Sequence, residues 1–175
     1  QVKMAPESFN IDNSGTYKFT LSYDFYLQKS ALISWNMHTH LYLISTGLEF
    51  NKINTCTTDN ILRFRSSNSV SHATDSTVDM SAYPEGWYNV TMTIDKATNT
   101  KKGYLDGVLI LNTTSSFLPD LLGDIFYLGS WGASSHQANS SFKNLSFYNR
   151  VLSDTEVTTL ATNKLKITPE GNLIN

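Results

Sequence analysis

Residues 16–27 alternate apolar and polar side chains without a break: Tyr17, Phe19, Leu21, Tyr23 and Phe25 are interleaved with Lys18, Thr20, Ser22 and Asp24. Only an extended chain turns that pattern into faces, because successive strand side chains point to opposite sides. The segment is therefore expected to form an antiparallel strand. Its five aromatic and leucine positions would be buried, and Lys18, Thr20, Ser22 and Asp24 would be wet. Tyr88, Val90, Met92 and Ile94 alternate in the same way with Asn89, Thr91, Thr93 and Asp95. A polar turn at 96–101 separates them from Gly103-Tyr104-Leu105, and Asp106-Gly107 then precedes Val108-Leu109-Ile110-Leu111. Asp-Gly between two apolar runs predicts a two-residue hairpin, since both turn positions need positive φ.

Shorter strands are expected at 32–35, 41–44, 48–51, 61–65, 125–128 and 142–148, separated by polar loops at 54–60, 66–77 and 129–140. That rhythm belongs to an all-β sandwich or barrel. Ser153-Asp154-Thr155-Glu156 has capping-box spacing and predicts one short helix, ending near Thr162.

A chain of 175 residues can enclose one core. Charged residues make up 16%, against a usual value of about 25%, and Ser, Thr and Asn carry the polarity instead, as in many extracellular β proteins. The 13 Lys and Arg are scattered and the net charge is -2, which argues against nucleic acid as partner. No apolar run approaches the roughly 20 residues of a membrane span, so no membrane insertion is expected. Cys56 is the sole cysteine, so no intrachain disulfide can form. The chain starts at Gln1 with no signal peptide, and is expected to be a mature fragment or a domain of a larger multidomain chain.

Two segments carry a resemblance. One is Gly86-Trp87-Tyr88-Asn89-Val90-Thr91-Met92-Thr93-Ile94-Asp95, continuing to Gly103-Tyr104-Leu105-Asp106-Gly107-Val108-Leu109. The other runs Phe142-Lys143-Asn144-Leu145-Ser146-Phe147-Tyr148-Asn149-Arg150-Val151-Leu152-Ser153-Asp154-Thr155-Glu156-Val157. Together they resemble the laminin-G-like branch of the concanavalin A-like lectin and glucanase superfamily. The resemblance implies a two-sheet antiparallel jelly-roll sandwich over residues 1–163, with one short C-terminal helix, and 164–175 as a terminal strand or connector. Structural calcium occurs in many relatives, and Asp12, Asp120 and Asp124 are its loose candidates here. Trp87 reads as a large apolar anchor at a strand start. Arg150 reads as a guanidinium that ties down loop carbonyls.

Glucanases on this fold alternate two glutamates and an aspartate along one strand, because retention needs two carboxylates about 5 Å apart. Glu7, Glu49, Glu85, Glu156 and Glu170 each lack an Asp two residues later, so that signature is absent. No Gly-x-Ser-x-Gly elbow or phosphate-cradling loop occurs either. The expected protein is not an enzyme.

The residues left for binding are polar and aromatic. His38, His40 and Tyr42 alternate after Asn36 and would share one face of a strand, offering hydrogen bonds and a ring to a sugar. His38 and His40 could also start a zinc site, with His72 or His136 as third ligand. Arg63 and Arg65 share a strand face opposite Leu62 and Phe64, and could grip the carboxylate of an acidic sugar. Trp131, set in Gly129-Ser130-Trp131-Gly132-Ala133-Ser134-Ser135-His136, is a candidate stacking platform with His136 beside it. The expected function is a non-catalytic carbohydrate-binding module of an extracellular, cell-surface or phage-tail protein, serving adhesion or substrate targeting. The alternatives are a protein-interaction or spacer domain and, more distantly, a glycoside hydrolase.

Overall fold

The computed structural model of the chain describes residues 2–4, 16–28, 37–45, 48–56, 61–67, 72–114, 125–128, 141–163, 166–167 and 173–174, with side chains at 16–28, 62, 64, 76–114 and 141–163. In chain order the elements are β1 (Val2–Met4), β2 (Lys18–Leu27), β3 (Met37–Ser45), β4 (Leu48–Cys56), β5 (Ile61–Ser67), β6 (His72–Asp79), β7 (Gly86–Asp95), β8 (Thr100–Leu105), β9 (Val108–Thr114), β10 (Ile125–Leu128), β11 (Phe142–Tyr148), α1 (Asp154–Thr162), β12 (Lys166–Ile167) and β13 (Leu173–Ile174). They form a six-stranded sheet, β1-β10-β3-β4-β5-β6, a five-stranded sheet, β11-β2-β7-β8-β9, and a two-stranded pair, β12-β13.

The alternation in β2 does what period two requires: Tyr17, Phe19, Leu21, Tyr23 and Phe25 are all buried. They meet Val90, Met92 and Ile94 of β7, and Leu62 and Phe64 of β5 in the opposite sheet, in one core. Phe64 lies so close to the β8 backbone that a Cβ on Gly103 would come within 2.6 Å of its ring, so only glycine fits there. At the rim, the Ser76 hydroxyl of β6 donates to the Ile110 carbonyl of β9 at 3.2 Å, joining the two sheets along one edge.

The hairpin and the helix start are formed as their chemistry dictates. Asp106 has φ 48° and Gly107 φ 77°. The Asp106 carboxylate accepts from the Asn89 N–H at 2.7 Å, which fastens the turn to β7. Ser153 and Glu156 complete a reciprocal capping box.

Four expectations are corrected. The strand β4 runs on to Cys56, through the first half of the loop expected at 54–60. The loop expected at 66–77 contains the end of β5 and most of β6. β6 is a polar edge strand and offers no alternation to read. The turn expected at 96–101 closes by Asn99, and β8 takes over at Thr100 with Lys101 fully buried. Finally, of the four polar positions of β2 expected to be wet only Lys18 is exposed: Thr20 and Ser22 are 0% exposed and Asp24 5%. The strand expected at 32–35 lies outside the described residues.

Candidate functional site

The outer face of the five-stranded sheet explains that last correction. Register aligns Thr20 with Thr93, Ser22 with Thr91, Asp24 with Asn89, and Tyr26 with Trp87. At the Thr20 end the chain folds back over its own sheet. The Thr20 hydroxyl donates to the Arg150 carbonyl and accepts from the Leu152 N–H, both at 2.9 Å. Tyr104, Leu152 and Val157 form a second small core under α1. The Tyr104 hydroxyl and the Lys102 ammonium each donate to Asp154 at 2.7 Å. Burial, then the bond to Asp154, pushes the Tyr104 phenol above its ordinary pKa. Gly107 is required twice over, by its φ and because a Cβ would sit 3.0 Å from the Thr158 backbone of the docked helix. The Arg150 guanidinium is not on loop carbonyls, as expected from sequence, but forks onto Glu156 at 2.6 and 3.0 Å. That fork and the bonds from Ser153 hold the Glu156 carboxyl down at about 2. Between α1 and the end of β11 lies an open groove of about 400 Å³, lined by Tyr148, Leu152, Leu160 and the Arg150–Glu156 pair.

In the middle of the face, polar groups satisfy one another. The Asn89 amide faces Ser22 Oγ at 3.0 Å, the Tyr23 carbonyl at 3.0 Å and Asp24 Oδ1 at 2.9 Å. The Thr91 hydroxyl bonds Ser22 Oγ at 2.8 Å and Asn89 Oδ1 at 3.0 Å. The β11 register shifts between Lys143 and Ser146, and Asn144 adopts φ 54°, a left-handed conformation that asparagine tolerates. This bulge aims the Asn144 amide at Asp24 Oδ2, 2.6 Å away. Both Asp24 oxygens are thus engaged.

The far end of the same face carries Tyr26 and Trp87. Trp87 is half-buried and stands outside the core cluster, so its reading as an apolar anchor is corrected. The Tyr26 ring meets Trp87 edge-on at 5.4 Å. The Lys143 ammonium lies 3.9 Å from the centre of the Trp87 ring. The Tyr26 hydroxyl donates to exposed Glu85 at 3.2 Å, and burial together with that bond raises the Tyr26 pKa. Six residues of extended chain, about 20 Å, separate this row from Thr20 under the helix. The signal was present in the sequence: Trp87 and Tyr26 have the parity of Asn89 and Asp24, not that of Tyr88 and Phe25.

The residues singled out from sequence fall mostly on the other sheet. His38 is paired with Thr55, and Thr55 with Leu62, whose side chain is in the core. Thr39, Asn54 and Arg63 make the next row. The register shifts between Thr39 and Leu41, at His40, so strict alternation from His38 to Tyr42 is interrupted. Leu41, Ile53 and buried Phe64 form one row, and Lys52 pairs with Arg65 in the row beyond it. A second shift, between Leu41 and Leu43, falls at Tyr42, which the register pairs with Tyr127 of β10, while Arg63 and Arg65 hold alternate positions in β5 opposite Asn54 and Lys52. Trp131, His136, Asp12, Asp120 and Asp124 lie outside the described residues. Among the described residues no group of three His, Cys, Asp or Glu is placed to hold a metal ion.

A family model of the laminin-G type, described as the concanavalin A-like lectin/glucanases superfamily, matches residues 8–158. The chain belongs to this superfamily. Comparison of this superfamily member with curated proteins finds no match. Among solved structures, it is similar to the botulinum neurotoxin serotype D binding domain, at TM-score 0.69 and 15% identity, over 88% of this chain and 39% of that one. Another similar structure is the serotype D ligand-binding domain in complex with N-acetylneuraminic acid, at TM-score 0.66 and 15% identity, covering 89% and 39% of the two chains. A third is the binding domain of botulinum neurotoxin DC in complex with rat synaptotagmin II, at TM-score 0.64 and 16% identity, covering 85% and 36%. This chain thus spans less than two-fifths of each of those three, and the likeness is one of fold.

Proposed function

We propose that this domain is a non-catalytic, lectin-like carbohydrate-binding module, carried by a larger extracellular, cell-surface or phage-tail protein and used for adhesion or substrate targeting. The observation that supports the reading is the register of β4 and β5, which pairs Lys52 with Arg65 and Asn54 with Arg63; Tyr42, on the neighbouring β3, is proposed to join them. Guanidinium groups at alternate strand positions suit a carboxylate-bearing sugar, because each can donate two parallel hydrogen bonds. An aromatic ring alongside suits the apolar face of a pyranose. Trp131, His136, His38 and His40 are proposed to complete the contact surface. Two further facts support binding over turnover. A similar structure is a complex with N-acetylneuraminic acid. In the sequence, no glutamate has the carboxylate spacing of the glucanases, and Asp24 is fully engaged by Asn89 and Asn144. No helix among the described residues is long and apolar enough to cross a membrane.

A protein partner is the second reading, favoured by the similar domain in complex with rat synaptotagmin II. A glycan array with neutral and acidic saccharides separates the two. The expected result is retention of at least one glycan class, with acidic glycans lost in the Arg63→Ala/Arg65→Ala double variant. An array without a single bound glycan, or release of reducing ends from a bound one, would refute the carbohydrate-module reading.

A further inference from the structure

We propose that Asn112, on β9, is an N-glycosylation site of the folded domain, and that a glycan there shields the apolar edge of the five-stranded sheet. The proposal does not depend on what the domain binds.

The sequence holds four Asn-x-Ser/Thr acceptor motifs: Asn89-Val90-Thr91, Asn112-Thr113-Thr114, Asn139-Ser140-Ser141 and Asn144-Leu145-Ser146. Asn139 lies outside the described residues. The fold sorts the other three. Asn89 is 4% exposed, and its amide nitrogen is within 3.0 Å of Ser22 Oγ, the Tyr23 carbonyl and Asp24 Oδ1, so no sugar fits on it. Asn144 is exposed, but its amide nitrogen sits 2.6 Å from Asp24 Oδ2, held there by the bulge. Asn112 is exposed, and its side chain makes no hydrogen bond among the described residues.

Position in the sheet explains the contrast. Asn89 belongs to the central strand β7, and Asn112 to β9 at the sheet's edge. Register carries the outer row from Thr20 through Thr93 and Lys102 to Asn112. The Lys102 ammonium goes to Asp154 at 2.7 Å rather than to Asn112. Thr114, two residues on, has the same parity and is exposed as well, which sets the hydroxyl that the motif requires on the same side as the acceptor.

The strand itself gives the glycan a purpose. β9 reads Val108-Leu109-Ile110-Leu111-Asn112-Thr113-Thr114, with neither a charge nor a proline, and Val108 and Leu109 are 63% and 41% exposed. Sheet edges are ordinarily blunted by such residues, because an apolar, β-prone edge pairs with other chains. A hydrated oligosaccharide on Asn112, about 13 Å along the strand from Val108, supplies bulk that the side chains do not. The donor is a sugar activated on a pyrophosphate, either a sugar nucleotide or a lipid-linked oligosaccharide. Its anomeric carbon bonds to Asn112 Nδ2 and its carbon–oxygen bond to the pyrophosphate breaks. The leaving pyrophosphate keeps that electron pair, and the amide gives up one proton.

Two arms test this. In one, the folded domain is treated with a soluble asparagine N-glycosyltransferase and UDP-glucose, beside a peptide of residues 86–95 that carries the Asn89 motif free of the fold. In the other, the domain is secreted from a eukaryotic cell, whose lipid-linked oligosaccharide is the donor. Peptide mapping by mass spectrometry reads each asparagine. Asn112 should be modified and should cease to be an acceptor in Thr114→Ala, while Asn89 is modified in the peptide and bare in the domain. Modification in one arm alone supports the site and assigns its donor. Asn112 bare in both arms, or Asn89 occupied in the folded domain, overturns the proposal. Size-exclusion chromatography after gentle heating then compares the oligosaccharide form with Asn112→Gln, which should lose monomer sooner. Equal loss of monomer overturns the shielding role.

Discussion

Along the middle of β2 and β7 the two faces are buried to nearly the same degree by opposite means. The inner face is excluded from water by aromatic and aliphatic packing between the sheets, with Phe19, Val90 and Ile94 at 0% exposure. The buried residues of the outer face are Thr20, Ser22, Asn89, Thr91 and Thr93, and the C-terminal segment bonds to this face at Thr20. Inside, burial itself stabilises. Outside, burial would cost stability unless every polar group found a partner, and the Asn89–Ser22–Asp24–Thr91 network supplies them. At its far end the same face carries half-buried Trp87. The lesson is that polar residues in an alternating strand mark a face that is not the core, and say nothing of whether that face is wet.

Truncations on the two faces should separate in size. Phe19→Ala should destabilise by about 3–5 kcal/mol, the usual cost of emptying a large aromatic site. Asn89→Ala should cost less, about 1–3 kcal/mol, because it strands buried acceptors without opening a large cavity. Denaturant melts of both variants check this. An Asn89→Ala variant as stable as the parent would mean that the outer network contributes nothing and the comparison fails.

A smaller effect should appear with pH. The Glu156 carboxyl is depressed to about 2 by Arg150 and Ser153, so its folded-state pKa lies below its unfolded one. Its contribution is present above the unfolded value and is lost as pH falls towards 2. Asp154, depressed by Lys102 and then Tyr104, acts in the same direction. The melting temperature should fall over that acid window, and Glu156→Gln should flatten the fall. An unchanged acid slope in Glu156→Gln would show that the cap over the outer face does not depend on this ion pair.

What was legible in the sequence was local. The β2 parity, the Asp106-Gly107 hairpin and the Ser153–Glu156 box each need only neighbouring residues, and all three are formed. The capping of the outer face was not legible, because Thr20 meets Arg150 and Leu152 from about 130 residues away. β6 was missed because, as an edge strand, it is mostly polar and offers only Ala73 and Val78 as apolar positions. Trp87 was misread for a different reason: its size suggested core, although its parity with Asn89 and Thr91 already placed it outside. Of the candidate binding residues read from sequence, Arg63 and Arg65 hold alternate positions in β5, while the shifts at His40 and Tyr42, which no local pattern announces, break the alternation expected from His38 to Tyr42.

The most direct test of the account is hydrogen–deuterium exchange of the whole domain, with and without the best glycan from the array. The account predicts new protection in 61–67 with an acidic glycan, and the glycan recovered intact. Protection confined to the groove beside α1, in 148–163, or recovery of a cleaved glycan, would contradict it.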